Sequence, residues 1–155
     1  MSILFTPFVL KNTELKNRFV SSACEDNLAT EDGLVTDAII RKNQRLAKGE
    51  VGLIISGHLS VHRWGRTRKH QLGIYSDHMI PGLRRVVESV HGESAKIIFQ
   101  LGHAGLSTTR EVIGRPPMGP SAKDAQMYHE AAKVEIDDRT SRAAVNAPGF
   151  AQPKC

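Results

Sequence analysis

Three short stretches of this chain end in side chains able to hold a ligand by hydrogen bonds. Phe19 to Cys24 closes on Ser21-Ser22-Ala23-Cys24, and Val51 to His58, VGLIISGH, closes on Ser56-Gly57-His58. The third, KIIFQLGHAG from Lys96 to Gly105, carries Gln100 and His103 just past an apolar run. Gln100 offers an amide that both donates and accepts, His58 and His103 offer imidazoles, and Cys24 offers a weak S–H donor. Each has a bland alternative. Gln100 could cap a backbone turn, Cys24 could be a buried small hydrophobe, and His58 could fill a polar pocket. His103, flanked by Gly102 and Gly105, is expected to order its loop through hydrogen bonds rather than to transfer protons. A metal site is not expected. His58 and His62 are four apart, a spacing that binds metal on a helix, but here the segment leaves a strand, where successive side chains turn to different faces.

These groups need elements that bring them to one place. Continuous apolar runs such as Ile97-Ile98-Phe99 suit strands covered on both faces, as in a parallel sheet flanked by helices, where functional groups gather just past the carboxyl ends. Between the runs the pattern is helical. After Thr36, a candidate N-cap, Ile39, Ile40, Leu46 and Ala47 recur at helical spacing, and Gly49 is placed for a left-handed stop. In the second helix Asp77 is the candidate cap, Pro81 falls in the first turn, and Met79, Leu83, Val86, Val87 and Val90 form one stripe before Gly92. The order strand, helix, strand, helix, strand, with right-handed crossovers, makes the three strands parallel neighbours.

The chain has 155 residues, 40% hydrophobic and 24% charged, ordinary for one globular domain. No apolar run approaches the ~20 residues of a membrane helix, and Met1 to Leu10 lacks a leader pattern, so no membrane contact and a cytoplasmic location are expected. Cys24 and Cys155 are too few for a disulfide framework. The net charge of +5 suggests an anionic partner. Its densest cationic run, Arg63, Arg66, Arg68, Lys69 and His70, surrounds Trp64, but no nucleic-acid-binding pattern accompanies it, so a solvated or phosphate-facing loop is the better reading than a nucleic-acid module. Trp64 and Arg66 are either one wall of an entrance or ordinary surface residues. After the connector RPPMGPSA, which begins at Arg115, the periodicity weakens. A short helix is expected over 127–136, and 123–155 is expected to be an atypical, poorly ordered tail.

The opening LFTPFVLKNTELKNRFVSSA, with its Asn17-Arg18 pair, resembles the start of the Old Yellow Enzyme family, the FMN-dependent NADH:flavin oxidoreductases and ene-reductases. The stretches EDGLVTDAIIRKNQRLAKGEVGLIISGH, GRTRKHQLGIYSDHMIPGLRRVVESVHGESAKIIFQLGHAG and RPPMGPSA follow in the family's order, so the resemblance covers about residues 3 to 122. It implies an α/β fold, a partial (β/α)8 TIM barrel of about three βα units preceded by an N-terminal hairpin across the barrel floor. It also implies FMN across the carboxyl ends of the strands, NADH or NADPH as reductant, and a small-molecule electron acceptor such as an activated alkene. Family positions that touch flavin match Ser22, Ala23, Cys24, His58 and Gln100. Cys24 falls where the family carries threonine or cysteine near the reactive edge of the ring, and there it would tune the redox potential. Gln100 would match the mixed donor and acceptor pattern of the flavin pyrimidine ring.

A complete barrel takes ~250 residues, so the chain is expected to hold only part of one. No H-x-x-H or H-x-x-N substrate pair follows, and no loops from strands seven and eight are present for the FMN phosphate. The ring contacts alone should then bind FMN weakly. Two sheet edges and the apolar faces would lie open, which predicts low solubility, oligomerisation or a complementing chain. The competing reading is a non-catalytic barrel fragment that needs such a partner.

Overall fold

The computed structural model describes residues 2–119. The expected tail over 123–155 and its short helix lie outside the described residues. A short 3-10 turn at Ile3–Phe5 leads into β1 (Phe8–Leu10) and β2 (Thr13–Leu15), an antiparallel hairpin with Phe8 opposite Leu15. Then follow β3 (Val20–Ser21), α1 (Asp37–Lys48), β4 (Leu53–Ile55), β5 (Leu59–Ser60), α2 (Ile80–His91), β6 (Lys96–Ile98), β7 (Leu101–Gly102) and α3 (Arg110–Ile113).

The expected three-strand core is present: β3, β4 and β6 are parallel neighbours in that order, with α1 and α2 as the crossings between them. Register puts Ser21, Ile54 and Ile97 in one row and Val20, Leu53 and Lys96 in the next. The first row faces the helices. Ile54 lies in a cluster with Ala47 of α1, Val90 of α2 and Ala95, with Ile97 against it. Leu59, Met79 and Leu83 form a second cluster, and Ala29, Ile39 and Val86 a third. Burial of such side chains, at about 1.5–3 kcal/mol each, is what holds helices of only 12 residues in place.

Two local expectations need correction. Gly49 and Gly92 follow the helices as expected but keep negative φ, −77° and −59°. The left-handed positions fall later, at Glu50 (φ 65°) and Ser94 (φ 57°). Nor do the expected N-caps work through their side chains. The Thr36 hydroxyl donates to Leu28 O at 2.6 Å instead, and Asp77 opens a 3-10 turn, Asp77–Met79, that runs into α2. Pro81 does sit in the first turn of α2.

The hairpin connects to the amino-terminal end of the sheet through two adjacent side chains. Lys16 Nζ donates to Ala47 O at the end of α1 and to Glu93 O beyond α2, at 3.2 and 3.1 Å. Asn17 Nδ2 donates to Glu50 O at 2.6 Å, while its Oδ1 accepts from Phe19 N–H at 3.0 Å. These bonds close the floor on which β3 and β4 start.

Candidate functional site

The strands do not simply end where their polar groups begin. Ile55 pairs with Ile98, and the next pairing is Leu59 of β5 with Leu101 of β7. Residues 56–58 therefore face residues 99–100, one residue too many on the first side, and the ladder opens there before resuming. His58 and Gln100, expected beyond the strand ends, occupy this opening. It is held together by Ser56, whose Oγ accepts from Gln100 N–H at 3.2 Å, and by Leu59 N–H donating to Gln100 O at 2.7 Å.

The segment leaving β3 closes over the opening. A Cβ on Gly57 would lie 2.5 Å from Cys24 O, so the absent side chain is what lets the Cys24 backbone rest on β4's continuation. Gly102 does the same for His58, since a Cβ there would meet the His58 ring carbon Cδ2 at 2.9 Å. Ser22, Cys24 and His58 line one cavity of about 210 Å3, together with Ser56 and with Lys42 and Asn43 from α1. Ala23 and Gln100 do not line it. Ser22, Ala23, Cys24 and Gln100 are exposed, at the same end of the parallel sheet. The buried-hydrophobe alternative for Cys24 is thus excluded, because its thiol is free and exposed.

The Gln100 amide makes no hydrogen bond among the described residues, so the turn-cap alternative has no support. That amide lies at the same end of the sheet as the exposed Ser22, Ala23 and Cys24, and a group that both donates and accepts suits the hydrogen-bonding edge of a flat heteroaromatic ring.

Sequence reasoning missed the polar groups behind His58. Gln71 is only 2% exposed. Its Nε2 donates to His58 O at 3.0 Å and its Oε1 accepts from Thr67 N–H at 2.6 Å. Glu25 reaches the same place from the β3 loop, accepting from the Thr67 hydroxyl at 2.7 Å and pairing with Arg68 at 3.7 Å. An isolated glutamine among apolar and glycine residues in QLG, Gln71 to Gly73, was the one available signal. Among the described residues no group of three metal-ligating side chains occurs.

The cationic loop after β5 is largely solvated, with Arg63, Arg68, Lys69 and His70 exposed, and Arg66 ties it down. Arg66 donates to Glu31 O, to Lys69 O at 3.0 Å and to Arg63 O at 3.2 Å. Trp64 lies under the Arg115 guanidinium, 4.1 Å from its ring centre, and beside His62 at 5.0 Å. His103 orders its turn, as expected: its Nδ1 accepts from Gly105 N–H at 3.0 Å. Burial lowers the pKa of His62, aided by Arg115 and Arg63, and burial lowers that of His103, aided by His62. The unfolded chain therefore takes up these protons first. The stability that the neutral imidazoles supply is complete above the ordinary imidazole value of about 6.5 and is lost as the pH falls through the lower folded values. Hydrogen-exchange protection of residues 61–66 and 103–105 should be lower at pH 5 than at pH 7.5, with the sheet core unchanged.

A family model described as NADH:flavin oxidoreductase / NADH oxidase matches residues 3–145, running past residue 122, where the motifs legible in the sequence stop. The chain is 35% identical over 154 residues to an NADPH dehydrogenase of Listeria monocytogenes serotype 4a (strain HCC23), covering 95% of this chain and 45% of that protein. It is 33% identical over 153 residues to an NADPH dehydrogenase of Listeria welshimeri, with the same coverage. The chain thus spans about half the length of the relatives it matches. Among solved structures, an Old Yellow Enzyme homologue from Zymomonas mobilis superposes with a TM-score of 0.75 at 25% identity, over 92% of this chain and 42% of that one. Morphinone reductase in complex with tetrahydroNAD superposes with a TM-score of 0.69 at 29% identity, over 89% and 37%.

Proposed function

Because the chain belongs to the NADH:flavin oxidoreductase / NADH oxidase family, we propose that it forms the part of an FMN site carried by the first three strands of a (β/α)8 barrel. The oxidoreductase would take its electrons from NADH or NADPH and act on an activated alkene or similar acceptor. When bound, FMN would supply the hydride chemistry, passing to the acceptor what the nicotinamide delivers. The residues of this chain would bind and orient the ring. Exposed Ser22 and Ala23 are small enough for close approach, the Gln100 amide would pair with the polar edge, and Cys24 would bring a polarisable thiol beside it. His58, backed by Thr67, would complete the row.

The observation that carries this reading is the gathering of Ser22 to Cys24, His58 and Gln100 at one end of three parallel strands, with the Gln100 amide unbonded among the described residues. The test is to titrate the purified chain with FMN, following flavin fluorescence and absorbance, and then to add NADH or NADPH without oxygen. Saturable quenching that Gln100→Ala weakens several-fold is the expected result. An unaltered flavin spectrum at millimolar FMN would leave only common ancestry.

A second feature favours a companion for this sheet. Among the described residues β3 and β6 each pair on one side only, and Val20, Ile98 and Leu101 are 51%, 49% and 60% exposed. We propose that further barrel strands cover these edges and side chains in the working protein. A compact monomer in size-exclusion chromatography, with β3 and β6 as protected from exchange as β4, would refute that.

A further inference from the structure

The hydrogen bonds around Thr67 constrain the role that Nε2 of His58 can play toward it. A threonine hydroxyl has one proton and two lone pairs. Its oxygen lies 2.7 Å from Glu25 Oε1, 3.0 Å from Gln71 Oε1 and 3.4 Å from His58 Nε2. Both carboxylate and amide oxygens are pure acceptors, so the single proton goes to one of them, and the shorter, charge-assisted bond to Glu25 is the stronger. Whichever takes it, none is left for His58. The imidazole can bond to Thr67 only as the donor, through an Nε2–H.

Nothing else claims the other ring nitrogen. Among the described residues Nδ1 of His58 makes no hydrogen bond, while the backbone carbonyl of the same residue is held by Gln71. The ring rests on the bare backbone of β7 at Gly102, where a Cβ would lie 2.9 Å from its Cδ2. Three separate chain segments, the β3 loop, the opening after β4 and the cationic loop, thus converge to orient one imidazole. The Glu25–Thr67 link joins residues 42 apart in sequence.

We propose that Thr67 is a positioning residue, anchored by Glu25 and Gln71, that holds His58 in the Nε2–H form so that Nδ1 is a lone-pair acceptor for an N–H donor on the edge of a planar heteroaromatic ring. That the ring is a flavin rests on the preceding reading; the proton assignment does not. A threonine replaced by valine keeps the shape of the side chain and removes only the hydroxyl, whereas serine keeps the hydroxyl.

The test uses the whole chain with 15N-labelled histidine and long-range proton–nitrogen correlation at neutral pH, the His58 signals being identified by their loss in His58→Ala. The expected result is a single tautomer in the unmodified protein, Nε2 protonated and Nδ1 bare, retained in Thr67→Ser and replaced by a tautomer average in Thr67→Val. A protonated Nδ1 in the unmodified protein, or the average of a free imidazole, overturns the assignment without recourse to any variant. In parallel, FMN titration should show Thr67→Val binding about fivefold more weakly, the order of one hydrogen bond, with Thr67→Ser restoring it. A changed tautomer with unchanged FMN affinity overturns the ligand role. If the unmodified chain binds no FMN, the flavin reading fails, while the nitrogen spectra still decide the proton assignment.

Discussion

Replacing Asn17 with alanine should destabilise the fold by about 1–3 kcal/mol, because two part-buried backbone groups lose the same buried partner at once. Asn17 is 3% exposed, and its amide bonds Glu50 O and Phe19 N–H, on either side of the junction between β3 and the α1–β4 turn. Gly52 closes on the same side chain, since a Cβ there would be 2.6 Å from Asn17 Oδ1. Urea denaturation followed by circular dichroism measures the loss. Asn17→Asp is the informative companion. It keeps the acceptor for Phe19 and places a carboxylate against the Glu50 carbonyl, so it should be as damaging as alanine. A loss under 1 kcal/mol for both variants would mean that the hairpin does not anchor the sheet.

Gly57→Ala should impair the site more than it impairs the fold. The added methyl meets Cys24 O at 2.5 Å and Glu25 Cα at 3.2 Å, both main-chain atoms that cannot rotate away. The segment from Ser22 to Glu25 must lift from the opened ladder, at about 1–3 kcal/mol in stability. It would take the Glu25 end of the Thr67 hydrogen bonds with it. Measured by fluorescence titration, FMN affinity should fall more than tenfold while the far-ultraviolet circular dichroism stays unchanged. Ser56→Ala is the control, since it loses two hydrogen bonds, one from Gln100 N–H and one to Gly57 O, without a steric push and should cost no more than a few-fold.

The elements of this fold were legible because they answer to short-range rules. The α1 and α2 stripes follow helical spacing, and Leu83, Val86 and Val90 are buried as the pattern predicts, while on α1 Ile39 and Ala47 are joined by Asn43, a polar residue outside the expected stripe. The strands were legible as apolar runs, but not their ends. An eight-residue run such as VGLIISGH contains only the three ladder residues of β4, and the interruption after Ile55 has no signature in composition. The helix stops at Gly49 and Gly92 were legible, but the left-handed conformation was not, since it falls one residue later at Glu50 and two later at Ser94. Membership of the NADH:flavin oxidoreductase family was legible for a different reason, the order and spacing of several motifs together. The groups behind His58 were hidden because Glu25 and Thr67 meet only in the folded chain, and nothing local marks either as the other's partner.

The unequal opening of the sheet, residues 56–58 against 99–100, sets regularity and chemistry against one another. Deleting one residue from the longer side would let the two ladders fuse into uninterrupted β-structure and would turn each following side chain to the opposite face. An imidazole now lodged in a notch would become part of an ordinary pleat. Stabilising this sheet by making it more ideal is therefore the surest way to erase what it was shaped to hold, and any engineering for robustness should begin with the helices.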